Sequence, residues 1–173
     1  MSDMIQKVPF GYEQPKVERK GTIVYYDSFE HTTDQELDLA AYIAKERSFA
    51  KLVLYPLHEQ SVKRMSKDPV SAFYKREDKL HEWKRDRGAS NVIVERFEAK
   101  RKKYTPIDSA LRHLSDTYPA PLFLLMTGEM SNRFASYSSF EEWIVRVRLL
   151  LLTEPEQLHP RLVQYRNRWE SIH

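Results

Sequence analysis

Four short apolar runs, separated by longer segments with helical spacing, constrain this chain more than any other feature. They are Thr22-Ile23-Val24-Tyr25-Tyr26, Lys51-Leu52-Val53-Leu54-Tyr55, Asn91-Val92-Ile93-Val94 and Leu122-Phe123-Leu124-Leu125-Met126. Runs that are apolar at successive positions and rich in branched or aromatic side chains suit strands buried on both faces, as in parallel sheets. Parallel strands need long crossovers, and the intervening segments carry helical patterns. The expected fold class is therefore α/β: a three-layer α/β/α sandwich around a mostly parallel, Rossmann-like sheet of four or five strands, with a C-terminal helical extension.

The helices announce themselves by their caps. Thr33-Asp34-Gln35-Glu36 is a capping box, and Leu37, Ala40, Ala41 and Ala44 carry that helix to about Arg47 or Ser48. Pro56 closes the second strand and leaves His58 and Glu59 in a loop. Ser66-Lys67-Asp68-Pro69 reads as the next helix start and Gly88 as its stop. Its narrow apolar side is Phe73, Leu80 and Trp83, with Lys75, Arg76, Glu77, Asp78 and Lys79 facing water. After Thr105-Pro106, the residues Ile107, Ala110, Leu111, Leu114 and Tyr118 form a helical stripe. Beyond the fourth run, Thr127-Gly128-Glu129 opens a charged loop. Phe140, Trp143, Ile144, Val147, Leu150 and Leu151 then predict one helix, and Leu158, Leu162, Tyr165, Trp169 and Ile172 predict another over residues 156–172. This divides the chain into an N-terminal arm (1–20), an α/β domain (21–152) and a C-terminal helix packed on the same domain (153–173).

Several function classes are excluded. There is no cysteine, hence no disulfide, thiolate nucleophile or cysteine-ligated metal. No two of the six histidines stand at His-x-x-x-His spacing, so no metal is expected. With only four glycines, at 11, 21, 88 and 128, neither a dinucleotide fingerprint nor a Walker loop nor a nucleophile elbow exists. No signal-like or membrane-spanning stretch is present, which points to a cytoplasmic protein without membrane contact. The net charge of +3 favours neither nucleic acid nor membrane.

In open parallel sheets ligands sit outside the carboxyl ends of the strands. Three polar sets fall there: Asp27, Ser28, His31, Thr32 and Thr33; His58, Glu59 and Lys63; and Thr127, Gly128 and Glu129. A nucleotide or other phosphate-bearing small molecule is the expected ligand. Thr32 and Thr33 would supply hydroxyl and amide donors, and His31, His58 and Lys63 positive charge. Gly128 would admit close approach of the ligand to the backbone, and Glu129 would read a ribose or an amine. His31 and His58 are the candidate acid–base groups, although neither has a partner at a diagnostic spacing. The competing reading is that these hydroxyls only cap helices.

Between Lys84 and Lys103 eight basic residues stand against three acidic ones. Such a surplus can hold polyphosphate or nucleic acid by charge alone. In the tail, Arg161, Arg166 and Arg168 interleave with Tyr165 and Trp169, but the apolar spacing there fits packing or a partner helix better, so nucleic acid is not the expected partner.

From Thr22 to Leu152 the order of elements resembles that of the nucleotidylyltransferases, which carry an HxGH loop after the first strand. The residues behind the likeness are Tyr104-Thr105-Pro106-Ile107-Asp108-Ser109-Ala110-Leu111-Arg112-His113-Leu114, then Leu122 to Glu129, then Phe140-Glu141-Glu142-Trp143, with Phe29-Glu30 standing where the family carries Phe-Asp. The resemblance implies the fold and a nucleotide crevice. In place of the family's two histidines this chain has Thr32-Thr33-Asp34-Gln35, and the Ser-Ser-Thr and Arg signature after the last strand is also missing. No catalytic residue carries over. The expected function is thus non-catalytic nucleotide binding by a degenerate nucleotidylyltransferase-like protein. The alternatives are a partner-docking or self-associating module using the C-terminal helix, which would make a homo-oligomer, and an active transferase with unrecognised residues.

Overall fold

The structure, a computed structural model, describes residues 18–172; most of the arm expected at 1–20 lies outside them. Six strands build one sheet: β1 (Thr22–Asp27), β2 (Lys51–Pro56), β3 (Val92–Val94), β4 (Leu122–Met126), β5 (Arg148–Leu151) and β6 (Trp169–Ser171). Their order is β3-β2-β1-β4-β5-β6 and every neighbouring pair is parallel. That is the doubly wound order in which the chain reverses direction between β1 and β4.

Side chains alternate across the sheet into two apolar layers. Ile23, Tyr25, Leu52 and Leu54 face one side, packed with Leu37, Ala40, Ile43 and Ala44 of α1 (Asp34–Glu46) and Leu80 and Trp83 of α3 (Phe73–Arg87). Val24, Tyr26, Val53 and Tyr55 face the other. That side is covered by α2 (Glu59–Met65), α5 (Ile107–Thr117), α6 (Gly128–Ser136), α7 (Phe140–Ile144) and α8 (Pro160–Gln164); α4 (Phe97–Arg101) follows β3. The three expected layers are present.

The sheet is longer than expected because two segments with helical spacing are largely extended. The helix predicted through Leu151 stops at Ile144, and Arg148–Leu151 becomes β5. Leu149, Leu150, Leu151 and Leu152 are all buried, which a helix covering one face of a sheet cannot achieve for four consecutive residues. The helix predicted over 156–172 is only the five residues of α8, followed by a 3₁₀ turn (Arg166–Arg168) and β6. Trp169 is buried there and its indole donates to the Leu162 carbonyl at 2.8 Å. Of the expected apolar face Leu162 and Trp169 are buried, whereas Val163 and Arg166 of the same segment stay exposed.

Three further corrections bear on the site. The loops expected around His58 and after Gly128 are the helices α2 and α6. The helix expected from Pro69 begins at Phe73, since Ser71 is held by the Glu30 carboxylate through its amide and hydroxyl, both at 2.8 Å. Arg76 and Glu77, expected in water, are buried at 2% and 7% exposure.

Candidate functional site

A cleft of about 200 Å³ opens where the loops after β1 and β4 part. Asp27, Ser28, Glu30 and His31 line it from the β1 side, and Thr127, Glu129, Met130 and Arg133 from the β4 side. The third wall is Leu57, Val62 and Met65, continued by Ser66, Asp68, Pro69 and Val70. The walls near α2 are thus apolar and the floor at the strand ends is polar.

The β1 loop is tightly built. Asp27 accepts the Phe29 amide at 2.9 Å, the Ser28 hydroxyl accepts the Glu30 amide at 3.2 Å, and Phe29 is buried with a left-handed φ of +61°. A left-handed phenylalanine is strained, so the turn is held from outside. Arg76 does the holding. Its guanidinium donates to the carbonyls of Ser28 (2.7 Å), Leu57 (2.5 Å) and Ser71 (3.0 Å) and to Glu59 Oε1 (3.2 Å). One buried cation therefore ties together the segments after β1, after β2 and before α3. Burial pushes the Asp27 carboxyl above the usual carboxylate range despite the hydrogen bonds from Phe29 and Ser28. At Glu30 burial works in the same direction but is outweighed by the two bonds from Ser71 and the nearby Arg76, so its carboxyl is held low.

At the mouth stand His31, which is exposed, and Arg133, which also lies 3.8 Å from Glu129 one helical turn earlier. Four carboxyl groups, Asp27, Glu30, Asp68 and Glu129, against the one guanidinium of Arg133 leave an acidic cleft. Its groups can bind phosphate at Arg133 and His31 and hydroxyl or amine donors at Asp27 and Glu129.

Of the ten residues expected at the site, Asp27, Ser28, His31, Thr127 and Glu129 line the cleft. The other five do not. Thr33 caps α1: its Oγ1 accepts the Glu36 amide at 3.2 Å while Glu36 Oε1 accepts the Thr33 amide at 2.9 Å. Thr32 turns to the Tyr25 hydroxyl. His58 caps α2 through Nδ1, which accepts the Gln60 amide at 3.1 Å, and Lys63 projects into solvent from that helix. Gly128 is needed for packing: a Cβ would stand 2.5 Å from the Pro155 nitrogen and 2.6 Å from the Thr153 carbonyl oxygen, and its amide already donates to Thr153 Oγ1 at 3.0 Å. The helix amides expected to hold an anion are largely engaged, since Thr127 likewise caps α6 through the Met130 amide.

Sequence reasoning missed Arg133, Met130, Glu30 and the Val62–Met65 wall. The signal for α6 was the pair Met130 and Phe134 at i, i+4 behind Thr127 as N-cap, and for α2 the pair Val62 and Met65 at i, i+3.

Comparison with known proteins bears on the fold. Neither a protein-family model nor a curated protein sequence matches the chain. Among solved structures it is similar to a chain described as "Putative Nicotinate-nucleotide Adenylyltransferase from Vibrio parahaemolyticus", with a TM-score of 0.54 and 21% identity over 86% of this chain and 85% of that one. The architecture is a nucleotidylyltransferase-like fold.

Proposed function

We propose that the protein binds a nucleotide or a similar phosphate-bearing small molecule in the β1/β4 cleft and does not transfer an adenylyl group. The observation that carries this reading is the position of the cleft at the topological switch point, where open parallel sheets take their ligands, with Arg133 and His31 at its mouth and Asp27, Thr127 and Glu129 at the strand ends. A volume of about 200 Å³ is below the roughly 300–1,000 Å³ of typical ligand pockets, which favours a mononucleotide over a dinucleotide. The acidic balance points the same way. A nucleoside monophosphate brings one phosphate for Arg133 and several hydroxyl or amine donors for Asp27 and Glu129, whereas a bare polyphosphate would be repelled.

Where the resembled family carries its HxGH histidines, this chain has Thr32-Thr33-Asp34-Gln35, whose Thr33 closes the start of α1 with Glu36. Both side chains are engaged in the cap, and neither lines the β1/β4 cleft.

Thermal unfolding against a panel of nucleotides, dinucleotides and sugar phosphates tests the reading. A ligand at 100 times its Kd adds about 2.7 kcal/mol, which for a domain of this size is a rise of about 5–10 °C. We expect such a rise with a mononucleotide, loss of it in Arg133→Ala, and no adenylylated product when ATP is supplied. A flat panel at millimolar concentrations overturns the reading. A shift that survives Arg133→Ala moves the ligand to another site.

A further inference from the structure

We infer that the face formed by α2, α4 and the turn after α4 binds single-stranded nucleic acid. In sequence, Lys100-Arg101-Lys102-Lys103 is only a linear run of charge. The fold sets a second basic helix beside it. Buried Glu98 of α4 accepts the Ser61 hydroxyl at 2.7 Å and the His58 amide at 2.9 Å, and the Thr105 amide donates to Ser61 Oγ at 3.0 Å. These bonds lock α2 against the 97–105 segment, so Lys63, Arg64 and Lys67 adjoin the basic run.

The charge on this face is little compensated. Among the described residues none of the seven cations has a carboxylate within 4.0 Å, whereas Arg47, Arg87, Arg112 and Arg146 each do. The acidic residues of the two segments, Glu59 and Glu98, are turned inward onto Arg76 and onto Tyr55 and Ser61. These seven are a quarter of the chain's 28 basic residues. Mutually repelling, unpaired cations are what a string of phosphates neutralises with release of counterions.

An aromatic platform adjoins the cations and selects the kind of nucleic acid. The Arg64 guanidinium lies 4.1 Å from the centre of the Tyr104 ring. Tyr104 and Tyr137 line an open groove of about 570 Å³ with Ser136, Ser138 and Ser139, and its two carboxylates, Asp108 and Glu142, are paired with Arg112 and Arg146. Bases of a single strand stack on such rings while the phosphates track the lysines. Bases in a duplex are already stacked, and a membrane would need an apolar wedge that this polar groove lacks. Val62 and Met65 of α2 wall the β1/β4 cleft whereas Lys63 and Arg64 do not line it, so the two sites use different faces of that helix.

The test is fluorescence anisotropy with labelled oligo(U) of about 12 nucleotides at salt concentrations of about 50 to 200 mM. We expect saturable binding that weakens with salt. The triple variant Lys63→Gln, Lys100→Gln, Lys103→Gln should bind at least tenfold more weakly, with the slope of log K against log salt shallower by about 2, from roughly 0.7 per lost phosphate contact. A control triple on α1 and α3, Lys45→Gln, Lys75→Gln, Lys79→Gln, should bind like the parent. Tyr104→Ala should weaken binding fivefold or more and Tyr104→Phe leave it unchanged; unfolding midpoints equal to the parent's show that the variants remain folded. No binding at low salt overturns the inference. So does an equal loss from the control triple, duplex bound as tightly as single strand, or binding to anionic vesicles but not to oligonucleotide.

Discussion

Replacing Arg76 should damage this protein more than replacing any residue that touches the cleft directly. The side chain is 2% exposed and its guanidinium serves three carbonyls and the Glu59 carboxylate, with Glu30 3.9 Å away. Arg76→Met fills most of the volume but removes every donor, leaving three buried carbonyls without this partner and two carboxylates without their cation. Removing one member of a buried ion pair costs about 3–5 kcal/mol, and hydrogen bonds to charged groups about 1.5–3 kcal/mol each; the terms overlap, so about 3–5 kcal/mol is the expected total. At 2–4 °C per kcal/mol that is a fall in Tm of about 6–20 °C. Arg76→Lys keeps the charge but cannot span three carbonyls from one ammonium, and should recover less than half of the loss. Urea unfolding followed by tryptophan fluorescence is the assay, since Trp83, Trp143 and Trp169 are all buried; the midpoint should fall with the m-value unchanged. The clamp also holds Ser28 and Leu57, both of which line the cleft, so ligand affinity should fall with stability. A loss below about 1 kcal/mol for Arg76→Met would refute the reasoning, because the segments would then be held by something other than the guanidinium.

Gly128→Ala should destabilise by about 1–3 kcal/mol, because the methyl meets the backbone of Thr153 and Pro155 rather than a side chain that could swing away; calorimetry of the pair of proteins checks it, and a neutral result would mean that this loop yields freely. Glu95 gives a pH dependence of defined sign. Burial would raise its carboxyl, but the Tyr118 hydroxyl (2.6 Å), His113 (3.1 Å) and the Phe97 amide (2.7 Å) outweigh it and hold it below the ordinary 4.5. Its contribution is therefore present above that ordinary value and is lost as pH falls through the lower folded value. Glu95→Gln should lower stability at neutral pH and flatten the stability profile below about pH 4.5, while parallel profiles for the two proteins would contradict the assignment.

What the residues disclosed, and what they did not, divides along a physical line. Local chemistry was legible: the Thr33–Glu36 capping box is realised, and Gly88 ends α3 with a left-handed φ of +59°. The first four strands also fell where branched and aromatic runs placed them. Residues 140–152 were ambiguous, because leucines suit both a helix and a buried parallel strand and their spacing satisfied both periods. Only the position beside β4 decides, and no local signal carries it.

The site fails in the sequence for a related reason. Strand ends predict where ligands sit, but the phase of the next helix decides which side chain arrives. In α2 that phase turns Val62 and Met65 into the cleft and Lys63 into solvent, while α6 brings in Arg133 from what reads as a charged loop. The loop after β1 is fixed by Asp27, Ser28 and the Arg76 clamp, and its far end is consumed in starting α1. A histidine placed at Thr33 would remove the hydroxyl that accepts the Glu36 amide, so Thr33→His should cost about 1 kcal/mol of stability, read as a lower unfolding midpoint.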